Sequence, residues 1–160
     1  MKKLKEITKL FFFGFVIQTG VTMKKFLTVL FGIIFLSANV CFATNSYDKY
    51  GQKTGSYRQN GSTINQYDRY GQKTGSYKQT SNGYNSYDKY GQKAGSYKTN
   101  GNTTTQYDRY GSKVGTYKTN SSGVTTSYDK YGRKTGSFKQ DSSGRITEYD
   151  RYGRKVGSYR

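Results

Sequence analysis

The stretch SYDKYGQKTGSYR, residues 46–58, returns five times as QYDRYGQKTGSYK, SYDKYGQKAGSYK, QYDRYGSKVGTYK, SYDKYGRKTGSFK and EYDRYGRKVGSYR. A chain built this way must fold as an array in which each copy covers part of its neighbour. Aligned on Tyr-Asp, the copies start at Tyr47, Tyr67, Tyr87, Tyr107, Tyr128 and Tyr149, a period of 20 residues three times and then 21 twice. The added residue falls in TNSSGVTTS and QDSSGRITE, where other copies read QNGSTINQ or TNGNTTTQ. Tolerated length change, with Asn-Gly or Ser-Ser-Gly beside it, marks that place as a loop.

The other punctuation is YDKYG. Asp at its first position and Gly at its fourth suit a type I turn closing a bulged hairpin, with the Asp side chain accepting from turn amides and Gly in the left-handed conformation. Asp48, Asp68, Asp88, Asp108, Asp129 and Asp150 fill the first role, and Gly51, Gly71, Gly91, Gly111, Gly132 and Gly153 the second. One Asp per copy, without a second hard ligand nearby, reads as turn chemistry and not as a metal site.

Between the turns lie two short segments, one ending at Tyr-Asp and one reading KTGSYK, rich in Thr, Tyr and Ser and suited to strands. Alternation puts Lys53, Gly55 and Tyr57 on one face of the second strand, with Thr54, Ser56 and Arg58 on the other. The Tyr57 position recurs as Tyr77, Tyr97, Tyr117, Phe138 and Tyr159, so the ring matters more than its hydroxyl. The expected core is a stack of these rings over Gly55 and its equivalents, with small residues at Thr54, Ala94, Val114 and Val156. The expected class is all-β: six tandem β-hairpin repeats as a closed ring or short β-solenoid. Six whole hairpins fit residues 44–160, and closure would pair the edges that an open stack exposes, so the ring is favoured.

A second period runs inside the first. The residue after Tyr-Asp alternates Lys49, Arg69, Lys89, Arg109, Lys130, Arg151, and the residue before it alternates Ser46, Gln66, Ser86, Gln106, Ser127, Glu148. Duplication of a two-hairpin unit explains this and makes three pairs as natural a description as six singles.

The amino-terminal part is of another kind. From Met23 it reads MKKFLTVLFGIIFLSANVCFATNS, with two lysines, an apolar run over 26–36 and small residues at the end, the order of a secretory signal peptide. The run is shorter than the ~20 residues of a membrane-spanning helix. Cleavage is expected after Ala43, with 1–22 an upstream extension ahead of the true start at Met23, 23–43 a helical signal peptide and 44–160 the repeat domain. Val40 before Cys41 does not suit a lipidation site. Without 1–43, the 27 basic and 9 acidic side chains fall to 21 and 8, and no cysteine is left. The expected destination is outside the cytoplasm: periplasm, cell surface or medium.

At Tyr-Asp, the turn Gly and the second Gly four residues later, residues 46–160 resemble the small exported bacterial beta-flower proteins, whose YDxxGxxxGxxx repeats form hairpins around an axis. That resemblance implies the hairpin ring and carries no catalytic residues. GRITEYDRYGRK is also similar to the YD repeats of Rhs-type toxin shells, which belong to far larger proteins. The layout of YDRYGSKVGTYKTNSSG is similar to choline- and glucan-binding cell-wall repeats, but those build their ligand cage from Trp, which this chain lacks.

His is absent, and the repeat domain has no Cys, so neither a histidine base nor a cysteine nucleophile is available. The glycines are spaced for hairpins and not for a phosphate loop. The reading is therefore a non-enzyme without cofactor or metal. Three positions per copy are basic throughout: the Lys49 position, the row Lys53, Lys73, Lys93, Lys113, Lys134 and Lys155, and the row Arg58, Lys78, Lys98, Lys118, Lys139 and Arg160. Repetition turns each into a row of charge suited to an acidic polymer such as lipopolysaccharide, teichoic acid, acidic glycan or nucleic acid. The turn tyrosines Tyr50, Tyr70, Tyr90, Tyr110, Tyr131 and Tyr152 either stack on such a ligand or pack against adjacent hairpins. The other reading is a structural protein that self-assembles through its repeats, its charge serving to keep strand edges apart.

Overall fold

The computed structural model describes residues 43–160. The expected extension over 1–22 and, apart from Ala43, the expected leader lie outside them. Twelve strands follow one another: β1 (Ala43–Asp48), β2 (Lys53–Asn60), β3 (Thr63–Asp68), β4 (Lys73–Thr80), β5 (Gly83–Asp88), β6 (Lys93–Asn100), β7 (Thr103–Asp108), β8 (Lys113–Thr119), β9 (Thr125–Asp129), β10 (Lys134–Gln140), β11 (Ile146–Asp150) and β12 (Lys155–Tyr159). Each pairs antiparallel with the next, and β12 returns to β1, giving a closed barrel. The seam is Ser46 opposite Tyr159 and Asp48 opposite Gly157, locked by paired backbone hydrogen bonds between Asn45 and Arg160 of 2.7 and 3.0 Å. The ring is thus the observed arrangement, and it leaves no strand edge unpaired.

Every YDxYG segment makes the expected turn. Asp48 Oδ1 accepts from the amides of Tyr50 and Gln52 at 2.9 and 2.8 Å, and Gly51 donates to the Asp48 carbonyl at 3.1 Å with φ 84°. The opposite turns are shorter than the sequence suggested. Asn60 pairs directly with Thr63, so QNGSTINQ is mostly strand around a two-residue loop. The added residue of the last copies changes this geometry. Gly123 donates to Asn120 at 3.1 Å and Asn120 Oδ1 accepts from Val124 at 2.9 Å, and Asp141 does the same for Arg145 at 3.0 Å. The longer loop has become a second copy of the YDxYG turn.

Next to each YDxYG turn the register steps from Tyr47 opposite Lys53 to Ser46 opposite Gly55, so Thr54 is an extra residue in a β-bulge. The step recurs in every hairpin. It corrects two expectations. Lys53 lies opposite the outward Tyr47, so it leaves the face of Gly55 and Tyr57 and joins Arg58 on the outer wall. Thr54, Ala94, Val114 and Val156 are bulge residues at the barrel mouth and are exposed, Val156 by 45%, where a core position was expected.

The interior is built in layers. Tyr57, Tyr77, Tyr97, Tyr117, Phe138 and Tyr159 point inward as expected, with Tyr57 and Tyr159 rings tilted at 6.5 Å and Tyr77 and Tyr97 at 6.3 Å. Burial pushes the phenols of Tyr57, Tyr77, Tyr97, Tyr117 and Tyr159 above their ordinary range. Towards the end with the short loops, Thr44, Ile64, Tyr84, Thr104, Thr125 and Ile146 form the most buried layer, Ile64 and Ile146 being 1% exposed. Sealing each isoleucine from water stabilises the fold by about 2 kcal/mol. The glycines opposite serve a purpose other than the expected seat for a ring. A Cβ on Gly75 would lie 2.7 Å from the Tyr87 backbone oxygen, so it is the next strand's main chain that needs the space.

The two-hairpin period has a physical content. Gln66, Gln106 and Glu148 accept from the phenols of Tyr77, Tyr117 and Tyr159 at 3.3, 3.1 and 3.0 Å. In the alternate copies Ser46 and Ser127 accept instead from the bulge hydroxyls of Thr54 and Thr135 at 3.0 and 2.9 Å.

Candidate functional site

Closure gathers all six YDxYG turns at one end of the barrel. There stand the Lys49 row, the turn tyrosines, the Lys53 row, and Arg133 and Arg154: fourteen basic residues against the six turn aspartates. The loops at the opposite end carry only Arg145 and Asp141, paired at 3.1 Å. The loops of the two ends therefore differ in charge, a net excess of eight cations at the turn end against a neutral pair at the other, with the Arg58 row on the wall between them.

The tyrosines of the turn end are surface groups. Tyr50, Tyr70, Tyr90, Tyr110, Tyr131 and Tyr152 are 67–85% exposed, which settles the choice between packing on neighbouring hairpins and facing solvent. Cations lie over several of them: Lys49 over Tyr50 at 4.8 Å, Lys89 over Tyr90 at 4.8 Å, Lys130 over Tyr131 at 4.9 Å and Arg151 over Tyr152 at 4.5 Å. The reason is local. The turn sets the residue after Asp next to the ring, and a cation gains from the negative ring face without losing its water. Tyr131 and Tyr152 carry a second cation, Arg133 at 5.2 Å and Arg154 at 5.3 Å.

Arg133 and Arg154 add a second tie. Arg133 Nε reaches Asp129 at 2.8 Å and Arg154 Nε reaches Asp150 at 2.7 Å. The backbone amides of Arg133 and Arg154, followed by their guanidinium groups, hold these two carboxyls below the usual carboxylate range. These aspartates are structural anions, each tied to the turn amides and to its own arginine.

The Arg58 row stands apart from this end. It runs round the wall, and its charges cover the outer tyrosines: Arg58 over Tyr67 at 5.2 Å, Lys98 over Tyr107 at 5.5 Å, Lys118 over Tyr128 at 5.7 Å and Arg160 over Tyr47 at 4.5 Å. The last of these repeats, across the seam, the relation within the array. The structure therefore brings together the Lys53 and Tyr50 rows and separates them from the Arg58 row.

Geometry also decides how many charges one ligand meets. On a closed wall the repeats point in all directions, so a straight polymer along the side touches a few of them at once. At the turn end all six repeats face the same way. Sequence reasoning took the Lys49 row as basic but did not single it out, because only closure puts it beside the Lys53 row. Among the described residues, no group of three or more His, Cys, Asp or Glu is placed to hold a metal ion. No protein-family model matches this chain, and no curated protein matches it, so its site is read from its own geometry.

Proposed function

We propose that this is an exported, non-catalytic protein of the beta-flower kind that binds anionic polymers of the cell envelope, such as lipopolysaccharide, teichoic acid or acidic glycan, through its turn end. The observation that carries this reading is the difference between the two ends: fourteen cations against six aspartates, with six exposed tyrosines, at one end, and a neutral pair in the loops of the other. Solubility alone would be served by charge spread over the surface. Lysines supply attraction over a Debye length of about 8 Å, and the rings supply flat apolar contact between them. Self-assembly through strand addition is the weaker reading, because closure consumes the edges it would use.

The test replaces Lys53, Lys73, Lys93, Lys113, Lys134 and Lys155 together by Gln and titrates envelope polysaccharide and, as a generic polyanion, nucleic acid at two salt concentrations. If most of these lysines neutralise a phosphate, the logarithm of the affinity falls against that of the salt with a slope roughly five units shallower in the variant. Unchanged affinity and slope in a folded variant would remove this row from the site. Absence of salt-dependent binding by the unaltered protein would remove the whole reading.

A further inference from the structure

Among residues 43–160 there are eight side-chain carboxylates, and seven of them are turn residues: the six YDxYG aspartates and Asp141. Glu148 is the eighth. It stands inside the barrel, where Tyr159 donates to it at 3.0 Å. Gln66 and Gln106 occupy the equivalent places and accept the same phenol bond with neutral amides, at 3.3 and 3.1 Å. The bond itself therefore needs no charge, and a charge in a half-buried site costs desolvation that an amide avoids.

Glu148 lines an open cavity of about 310 Å3 in the barrel mouth, with Tyr117 and Phe138 below it and Ser127 and Thr135 beside it. Its lining holds no Lys or Arg, although the surrounding rim is crowded with them. Hydroxyl oxygens, a carboxylate and aromatic faces are all partners for a group that donates hydrogen bonds and carries positive charge. At Asp150 and Val156 this cavity adjoins a second recess of about 570 Å3, between the turns of the first and last hairpins, lined further by Lys49, Tyr50, Arg154 and Lys155 and by Asp48, whose Oδ1 is taken up by the amides of its own turn. Barrel mouths are common ligand sites, and the smaller recess is at the low end of their size range.

We propose that these adjoining recesses bind an aminoalkyl phosphate, its ammonium group in the mouth against Glu148 and the rings, its phosphate in the groove against Lys49, Arg154 and Lys155. This rests on the polyanion reading of the turn end and adds that the polyanion carries primary ammonium substituents. A primary ammonium fits better than a quaternary one, since Glu148, Ser127 and Thr135 offer acceptors for its N–H groups. An unsubstituted polyanion would leave Glu148 facing like charge.

The experiment titrates O-phosphoethanolamine, inorganic phosphate, ethanolamine and phosphocholine into the protein and into Glu148→Gln, following binding by calorimetry. Gln at the equivalent positions 66 and 106 shows that the substitution is compatible with the fold. The expected result is that the unaltered protein prefers O-phosphoethanolamine over each of the other three. Glu148→Gln should lose at least about tenfold for that ester and keep its affinity for inorganic phosphate. Equal affinity of the variant and the unaltered protein for the ester would overturn the proposal, as would an ester bound no better than inorganic phosphate. Vesicles of phosphatidylethanolamine in phosphatidylcholine separate the sources: free ester bound without vesicles assigns a polymer substituent, both bound assigns the headgroup too, and vesicles bound without free ester overturns the site. If the ester fails while salt-dependent polyanion binding persists, this inference alone falls. If the unaltered protein binds no polyanion, the reading beneath it falls.

Discussion

Replacing Gly75 by Ala sets two effects of opposite sign against each other. Gly75 lies on β4 opposite Asp88 of β5, and an added Cβ would meet the Tyr87 carbonyl oxygen at 2.7 Å, against 3.4 Å or more for ordinary contact. The obstacle is main chain inside a closed ladder, so the two strands must part by about 0.7 Å or distort their hydrogen bonds. Overpacking of this order costs roughly 1–3 kcal/mol. Against it, Ala loses less conformational freedom than Gly on entering a strand, a gain of about 0.5–1 kcal/mol. The net expectation is a loss of about 1–2 kcal/mol, or a Tm lower by roughly 4–8 °C for a domain of this size. Urea unfolding followed by far-ultraviolet circular dichroism gives the midpoint and slope, and an unchanged slope keeps the comparison within two states. A variant as stable as the unaltered protein, or more stable, would refute the close strand approach as the reason for glycine here.

The inward rings should behave as one core: Tyr97→Ala removes a half-buried ring packed against Ile64 and Tyr84 and should cost ~3 kcal/mol, read from the same urea curves. Because the folded phenols of Tyr57, Tyr77, Tyr97, Tyr117 and Tyr159 are raised above 10.0, their unfolded value, the native state holds these protons more tightly. Stability is then full below that value and falls as pH rises through and beyond it, so phenolate absorbance of these residues should appear together with loss of the β spectrum. Asp88→Asn should be tolerated, since Asn120 caps an equivalent turn with its amide oxygen, whereas Asp88→Ala leaves two amides without that acceptor and should lower stability by about 1 kcal/mol.

Much of this barrel was legible because the repeat aligns six instances of each decision. Asp48 and Gly51 revealed their turn through residue type and spacing, and the Tyr57 row revealed the inner face through its one exchange for Phe138. The Lys53 and Thr54 faces were misread because a bulge leaves no mark in residue type, yet reverses alternation on one side of itself. The most buried layer escaped notice for a different reason. Thr44, Ile64, Tyr84, Thr104, Thr125 and Ile146 differ in size and polarity, and several lie in the segments that resemble loops. The cation crown followed from composition, but its concentration at one end depends on closure, which no single copy encodes. Glu148 broke the Ser/Gln alternation in plain view, and its meaning appeared only with the Gln66 and Gln106 bonds beside it.

Closure also governs how such a gene can grow. An open array gains or loses a repeat with little effect on the rest, whereas here the number of copies sets the bore. Circumference rises in proportion to strand number and cross-section as its square, while the inward rings rise only in proportion. Going from six hairpins to eight would enlarge the cross-section roughly 1.8-fold for a third more rings, and the centre would admit water. Going to four would leave no room for the rings already present. Unequal recombination between these near-identical segments is therefore filtered by volume: the tandem DNA is free to slip, and the protein accepts only those lengths whose side chains fill the hole they enclose.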